Sequence, residues 1–361
     1  MIKLMGFFDR FKKTETSATT SISRGFYEVQ VSNLRTLNAD TVQVSFDIPA
    51  QLKSEFQFVA GQYINLEVLI NGEKVRRAYS ICSGPNEALS VAVKRVNKGS
   101  VSNFLNDQKD TDFPIWISKP EGNFKLSTLA KNIVCIAAGS GITPILAIAK
   151  HLNASQKMHL FYGSQTKSKI LFENELTQLP FVDCTHFLSQ ETMEGYESGR
   201  LTKEVFTQKI KENLAILQSD AFYICGPSGL VEDIQECLTF FGVAKNKIHV
   251  ELFTPVATKE TVVSSEFTGE SRVKVMIDGE TASFTMKGTQ HNVLELAEKN
   301  GLDAPYSCRG GVCCSCRAKV LKGSASMRSN FSLTDEEVKN GYILTCQAFP
   351  TSEELIVSFD E

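Results

Sequence analysis

The sequence lacks the basic excess that nucleic-acid binding requires: 38 Lys and Arg stand against 41 Asp and Glu in 361 residues, a formal net charge of -3. With no positive field to neutralise a row of phosphates, no nucleic acid is expected as a partner. Long apolar runs are missing as well. The best candidate, from Ile133 to Ala138 and on past Pro144, is interrupted by Gly139, Gly141 and Pro144, so no membrane span is expected. The opening MIKLMGFFDRFKK has neither the apolar core nor the small-residue cleavage site of a signal peptide. Residues 1–24 therefore read as a flexible polar tail rather than a membrane-surface helix, and the chain as cytoplasmic. Internal repeats and long low-complexity stretches are absent. Ten cysteines without a secretory signal argue against a disulfide framework and toward metal or redox use.

What is present is a chain long enough for two or three domains. Over residues 25–127, YEVQVSNL, TVQVSFDI, YINLEVLI and LSVAVKRV carry β-branched and aromatic residues between the turn signals NGE and SGPNEA, which predicts an antiparallel barrel or sandwich. Over residues 128–255 strand and helix alternate, from NIVCIAA and PILAIAKHL to AFYICG and VEDIQECLTFFG, which predicts an open parallel α/β sheet. Residues 256–270 lie in a Thr- and Ser-rich stretch without helical period and read as a linker. Residues 271–361 begin with an expected hairpin, VKVMIDG and ASFTMKG, then a helix over NVLELAEKNG, making an α+β unit.

The most specific signal lies in that last unit. Cys308 is followed by four residues and Cys313, then by two residues and Cys316, with Cys346 arriving later; this is the plant-type spacing for a [2Fe-2S] cluster. Three thiolates on one tight loop must all face two irons, and Gly310 and Gly311 let the backbone wrap and aim amides at the sulfurs. A zinc site also uses four thiolates, but in two short knuckles, and only one such pair exists here. Cys314 is adjacent to the ligands, yet only Cys313 satisfies both spacings.

GSGITP, Gly139 to Pro144, follows an apolar strand and opens a helix. Gly139 and Gly141 permit close approach of backbone to a pyrophosphate, and the helix start supplies free N–H groups. Pro144 stands where the third glycine of a dinucleotide fingerprint would be, in the first helical turn. About 20 residues on, the next strand tip reads YGSQTKSK, where the fold meets the adenosine ribose. It offers Ser164, Lys167 and Lys169 and no acidic residue, which leans toward NADPH.

RAYSICS, Arg77 to Ser83, and KGSVSNFL, Lys98 to Leu105, resemble the flavin signatures of the ferredoxin-NADP reductase superfamily. With GSGITP, CGP (Cys225 to Pro227), ELF (Glu251 to Phe253) and the cysteine loop, the order is similar to flavin reductases bearing a C-terminal plant-type ferredoxin, most of all to the reductase components of phenylacetyl-CoA epoxidases and their relatives. The resemblance implies a β-grasp ferredoxin domain and FAD as the flavin. It places Arg77, Gly99 and Ser102 on the flavin phosphates, Tyr79 on the ring system or ribityl chain, and Ser80 near flavin N5. It puts Thr143 and Cys225 beside the nicotinamide, Glu251 near the hydride path, and Phe253 over the flavin. Gln165 departs from the Arg that many NADPH-using relatives carry. The implied function is NAD(P)H-dependent reduction of FAD, then single-electron delivery through the cluster to a redox partner, an oxygenase such as a di-iron phenylacetyl-CoA epoxidase. Alternatives are a hybrid-cluster protein, a Rieske oxygenase or a desaturase as acceptor, or a non-catalytic redox or zinc module.

Overall fold

The structure is a computed structural model that describes residues 23–253 and 269–361. The expected tail and linker thus fall almost wholly outside the described residues.

The N-terminal sheet comprises β1 (Phe26–Asn38), β2 (Thr41–Asp47), β3 (Tyr63–Ile70), β4 (Glu73–Ser80), β5 (Ser90–Lys94) and β6 (Ile115–Ser118), in the order β4-β3-β6-β1-β2-β5 and antiparallel throughout. Ile81, just beyond β4, bridges Val91 in β5, so the two outer strands meet and the sheet curls into a barrel. Closure removes exposed edges, and Val44, Ile64, Leu66, Val68, Val91 and Ile117 fill the interior. Helix α1 (Ser100–Asp107) adds Val101 and Leu105 to this core.

The second sheet is parallel: β7 (Asn132–Ala138), β8 (Lys157–Ser164), β9 (Val182–Leu188), β10 (Glu197–Ser198), β11 (Ala221–Gly226) and β12 (Ile248–Leu252), ordered β10-β9-β8-β7-β11-β12. β7 and β11 are nearly continuous apolar runs because helices cover both faces. α2 (Ile142–Lys150) and α3 (Glu173–Gln178) pack on one face, α4 (Lys203–Glu212) and α5 (Ser228–Phe240) on the other. The chain runs outward from β7 through β8 and β9, then returns to place β11 and β12 on its opposite side. Such a reversal leaves a crevice at the carboxyl ends of β7 and β11, where ligands bind in open α/β sheets.

The C-terminal unit is a five-stranded mixed sheet ordered β14-β13-β19-β15-β17, made of β13 (Glu270–Ile277), β14 (Glu280–Lys287), β15 (Arg317–Lys322), β17 (Tyr342–Leu344) and β19 (Glu354–Ser358). The short pair β16 (Ala325–Met327) and β18 (Ala348–Pro350) flanks it. The β13–β14 hairpin turns on Asp278 and Gly279, both at positive φ (46° and 80°), as a two-residue turn between twisted strands demands. α6 (Val293–Lys299) starts with a capping box between Asn292 and Glu295, and a second helix, α7 (Asp335–Lys339), with one between Thr334 and Glu337. This is the expected α+β β-grasp arrangement.

The C-terminal unit packs against the barrel. Arg76, whose side chain is 6% exposed, pairs with buried Glu67 at 2.7 Å and reaches Asp303 of the other unit at 3.3 Å. Its guanidinium lies 4.8 Å from the ring centres of Phe26 and Tyr306. Among the described residues no helix is long and apolar enough to cross a membrane.

Candidate functional site

The four thiols fall into two pairs. Cys313 and Cys308 are 3.0 Å apart at sulfur, and Cys316 hydrogen-bonds to Cys346. Two thiol pairs, three of the sulfurs from one loop and the fourth from a separate segment, suit two irons held by two thiolates each. Backbone amides turn inward: Gly310 N lies 3.4 Å from Cys308 Sγ, Val312 also donates to Cys308, and Gly311 donates to Cys346. Gly311 adopts φ +75°, and a Cβ there would stand 2.8 Å from the carbonyl oxygen of Ser329, so the loop closes only with glycine. The residues present fit a [2Fe-2S] cluster. Cys314 points elsewhere: its thiol faces the Ser332 carbonyl at 3.5 Å.

A cavity of about 240 Å³ lies between that loop and the barrel, lined by Tyr63, Arg77, Tyr79, Ser80, Glu251 and Phe253 together with Cys308 and Cys313. Arg77 is exposed, and its guanidinium bonds only to the carbonyl of Arg76 among the described residues, leaving it available for an anion. Gly99 precedes α1, and a Cβ there would come 2.5 Å from Ser102 Oγ, which accepts the Val96 amide at 3.2 Å. A free guanidinium, a partly exposed phenol at Tyr79 and this tight Gly99–Ser102 turn fit a flavin with its phosphates.

Two strand ends line this cavity and a third, that of β11, lies off the lining beside Glu251. Ser80 closes β4, Cys225 lies near the end of β11, and Glu251 lies near the end of β12. The Ser80 hydroxyl donates to Glu251 Oε2 at 2.9 Å, and the Cys225 thiol lies 4.0 Å from the same oxygen. Residues 171 and 26 positions away in sequence are thereby brought to one carboxylate. Burial pushes the Glu251 carboxyl up to about 7, with the Ser80 bond pulling the other way. Burial, then the nearby Glu251 charge, hold the Cys225 thiol protonated.

The Glu251 shift has a definite sign. Its native value lies above the ordinary 4.5, so between pH 4.5 and 7 the folded chain holds a proton that the unfolded chain has released, and stability falls as pH rises through that window. The loss should reach at most about 3 kcal/mol. Glu251→Gln should match the parent at pH 4.5 and be the more stable above pH 7; urea unfolding across this range is the measurement, and a variant retaining the parental slope would count against Glu251 as its source.

A second cavity, of about 640 Å³, occupies the crevice at the ends of β7 and β11. It is lined by Gly139, Ser140, Gly141, Gly226 and Pro227 at its floor and by Ser164, Gln165, Lys169 and Arg200 along its rim. Gly139 adopts φ +55°. Among the described residues the buried Ser164 hydroxyl has no hydrogen-bond partner, and the neighbouring Tyr162 phenol donates to the Gly139 carbonyl at 3.2 Å. Thr143 is buried and donates to the Ser140 carbonyl at 3.0 Å, outside the cavity lining. Lys167 is also off the lining, held by Glu173 and the Tyr196 hydroxyl, and Lys169 pairs with Asp40 at 2.7 Å. Arg200, which sequence reasoning missed, lines the cleft without an ion-pair partner among the described residues. It sits after a polar stretch with no periodicity, so only its placement reveals it. Phe253 borders both cavities.

Residues 28–126 match the family described as oxidoreductase FAD-binding domain, residues 135–236 the oxidoreductase NAD-binding domain, and residues 275–351 the 2Fe-2S iron-sulfur cluster binding domain. One component of the 1,2-phenylacetyl-CoA epoxidase of Escherichia coli (strain K12) is 31% identical over 350 residues, covering 93% of this chain and 98% of the relative. The ferredoxin reductase component of 3-ketosteroid-9-alpha-monooxygenase from Rhodococcus rhodochrous is 30% identical, covering 89% and 93%. Among solved structures, phthalate dioxygenase reductase, described as modular for electron transfer from pyridine nucleotides to [2Fe-2S], superposes with a TM-score of 0.56 at 25% identity, covering 93% of this chain and 98% of that one. The chain is an oxidoreductase, and it belongs to the ferredoxin-NADP reductase superfamily, in the branch whose flavoproteins carry a C-terminal plant-type [2Fe-2S] domain.

Proposed function

We propose that this chain is the reductase component of an oxygenase system, taking electrons from NADPH in preference to NADH and exporting them singly to a partner oxygenase, with a phenylacetyl-CoA epoxidase as the leading candidate. The observation that carries this reading is the cavity in which Ser80 and Glu251 stand opposite Cys308 and Cys313, one space shared by the flavin residues and the cluster loop. Bound FAD converts a hydride into two single electrons, and the bound cluster passes one at a time; the protein supplies placement and electrostatics. Arg77, Gly99 and Ser102 hold the flavin phosphates, Tyr79 packs on the flavin, and Gly139, Gly141 and the start of α2 receive the nucleotide pyrophosphate. Thr143 orders the turn that presents it, Cys225 sits beside the nicotinamide, and Phe253 covers the flavin until the nicotinamide arrives. Ser80 and Glu251 form a hydrogen-bonded pair able to hold a proton near the hydride acceptor. The expected boundaries, 25–127 for the flavin unit, 128–255 for the nucleotide unit and 271–361 for the ferredoxin unit, are the modules of this relay, joined so that each redox centre stays close to the next.

The donor preference rests on Ser164, Lys169 and Arg200 at the adenosine end of the cleft, Arg200 having no ion-pair partner among the described residues, with Lys167 close by. Anaerobic titration of the purified brown protein with each nucleotide tests the whole reading. NADPH should bleach flavin and cluster bands in turn, and NADH should do so with a lower kcat/KM. Arg200→Ala should raise the KM for NADPH about 10-fold while leaving that for NADH nearly unchanged, the cost of one charge-assisted phosphate contact. A protein without flavin or acid-labile sulfide would sink the proposal.

A further inference from the structure

The contact between the cluster loop and the barrel contains a compact polar network inside an otherwise tight junction. From the barrel come Tyr63 and Asn65 of β3, 5% and 2% exposed, and Glu121. From the ferredoxin unit come the hydroxyl of Ser315 and the amide of Cys314, which lie between Cys313 and Cys316. The Cys314 amide donates to the Tyr63 oxygen at 3.1 Å, and the Tyr63 hydroxyl donates to Glu121 Oε2 at 3.2 Å. Asn65 Nδ2 donates to Ser315 Oγ at 3.0 Å, and that hydroxyl in turn stands 3.3 Å from both Asn65 Oδ1 and Glu121 Oε2. Asn65 Nδ2 also lies 3.5 Å from the same Glu121 oxygen. One carboxylate oxygen thus gathers three donors from two units.

Polar groups buried in this manner add less to the strength of a contact than to its register, because any other docking leaves them unpaired. Glu121 has no cation within salt-bridge distance among the described residues; its carboxylate is bonded to Tyr63 and Asn65 of the barrel and to Ser315 across the junction. Its backbone is independently fixed by a two-bond bridge to Tyr63, N to O at 2.9 Å in both directions. Deleting the carboxylate therefore removes one bond across the junction and the two that orient Tyr63 and Asn65 toward it, while the backbone bridge stays intact.

Resting on the function proposed above, we infer that Glu121 is a positioning residue for electron passage: together with Tyr63 and Asn65 it latches Ser315 and thereby sets how the cluster loop faces the flavin cavity. The single electron leaving the flavin is the one that arrives on the cluster, so only the transfer rate depends on the latch, not the stoichiometry. Electron passage between two centres falls off steeply with their separation, so a contact that sets where the cluster loop sits sets the rate. In flavin- and cluster-loaded Glu121→Ala, stopped-flow absorbance should show cluster reduction slowed about 10-fold or more, with the preceding flavin reduction by NAD(P)H at the parental rate. Hydrogen exchange at the Cys314 and Ser315 amides should accelerate in the same variant. Glu121→Gln, whose amide oxygen accepts from the same donors, should restore both values. Either readout at its parental value in Glu121→Ala, an equal slowing of flavin reduction, or a Gln variant as impaired as the Ala one overturns the latch. Should Glu121→Ala fail to load its cofactors, Ser315→Ala approaches the contact from the other unit; loss of cofactor from both also overturns it. If the parent itself passes no electrons from flavin to cluster, the functional reading fails instead, and the exchange comparison still decides whether the contact is a latch.

Discussion

Replacing Cys346 by serine should abolish electron export while sparing the first half of the relay. With NAD(P)H and a dye that accepts directly from flavin, the variant should turn over within about twofold of the parent; with an acceptor that draws on the cluster, turnover should drop by about 100-fold or more. The reason is geometric and chemical. Cys346 enters from the β17–β18 connection and pairs with Cys316 opposite the loop that carries the other three thiols, so no spare sulfur can take its place. Cys314 cannot substitute, because its thiol is turned to the Ser332 carbonyl. A serine hydroxyl ionises far less readily than a thiol, and the ligand must be the anion. Loss of both activities in a folded, flavin-loaded variant would show that the flavin step depends on an intact cluster.

Gly141→Ala should be nearly as damaging, at the opposite end of the relay. A Cβ at this position would lie 2.2 Å from the carbonyl oxygen of Cys225 and 2.9 Å from the amide of Gly226, backbone atoms of β11 that no rotamer change can move. The turn opening α2 and the end of β11 would have to part, costing on the order of 1–3 kcal/mol from overpacking. The same displacement opens the floor of the nucleotide crevice and shifts Cys225 relative to Glu251. Expected results are a lower unfolding midpoint and a KM for NAD(P)H raised about 10-fold or more, the scale of one lost charge-assisted contact; a variant with parental KM and stability would show that the crevice tolerates the shift. Gly139, whose side chain position faces open space 4.0 Å from Lys94 Nζ, is constrained by its positive φ rather than by crowding.

Much of this arrangement is legible in the sequence, and the reasons are local. The strands of the parallel sheet announce themselves because covering both faces demands unbroken apolar runs such as AFYICG. The cysteine spacing is dictated by the size of a two-iron cluster. α4 is harder to read, since only Phe206 and Ile210 of KEVFTQKIKE are fully buried and two apolar contacts make a thin stripe. At the site, motif order brings Ser80, Cys225 and Glu251 to mind, but their meeting at one carboxylate is a property of three strand ends from two sheets. Lys167 and Arg200 mark the boundary of what composition can say. Both are cations near a nucleotide strand, yet one is spent on Glu173 and the other faces the cleft, a difference set by side-chain direction alone. The network around Glu121 leaves no trace in the sequence, because its members are ordinary polar residues more than 190 positions from their partner Ser315.

The sandwiching of Arg76 bears on how such chains can be recombined. Glu67 and Arg76 belong to the barrel, but the acid and the aromatic ring that complete their surroundings, Asp303 and Tyr306, belong to the ferredoxin. A foreign iron-sulfur module spliced on after residue 269 would be tethered at the right length and still leave a guanidinium facing an unfamiliar wall, at a cost several times that of an exposed ion pair. The two pieces are fitted to each other at this seam: a replacement module would have to present an acid and an aromatic ring where Asp303 and Tyr306 stand, or the barrel's side of the seam would have to change.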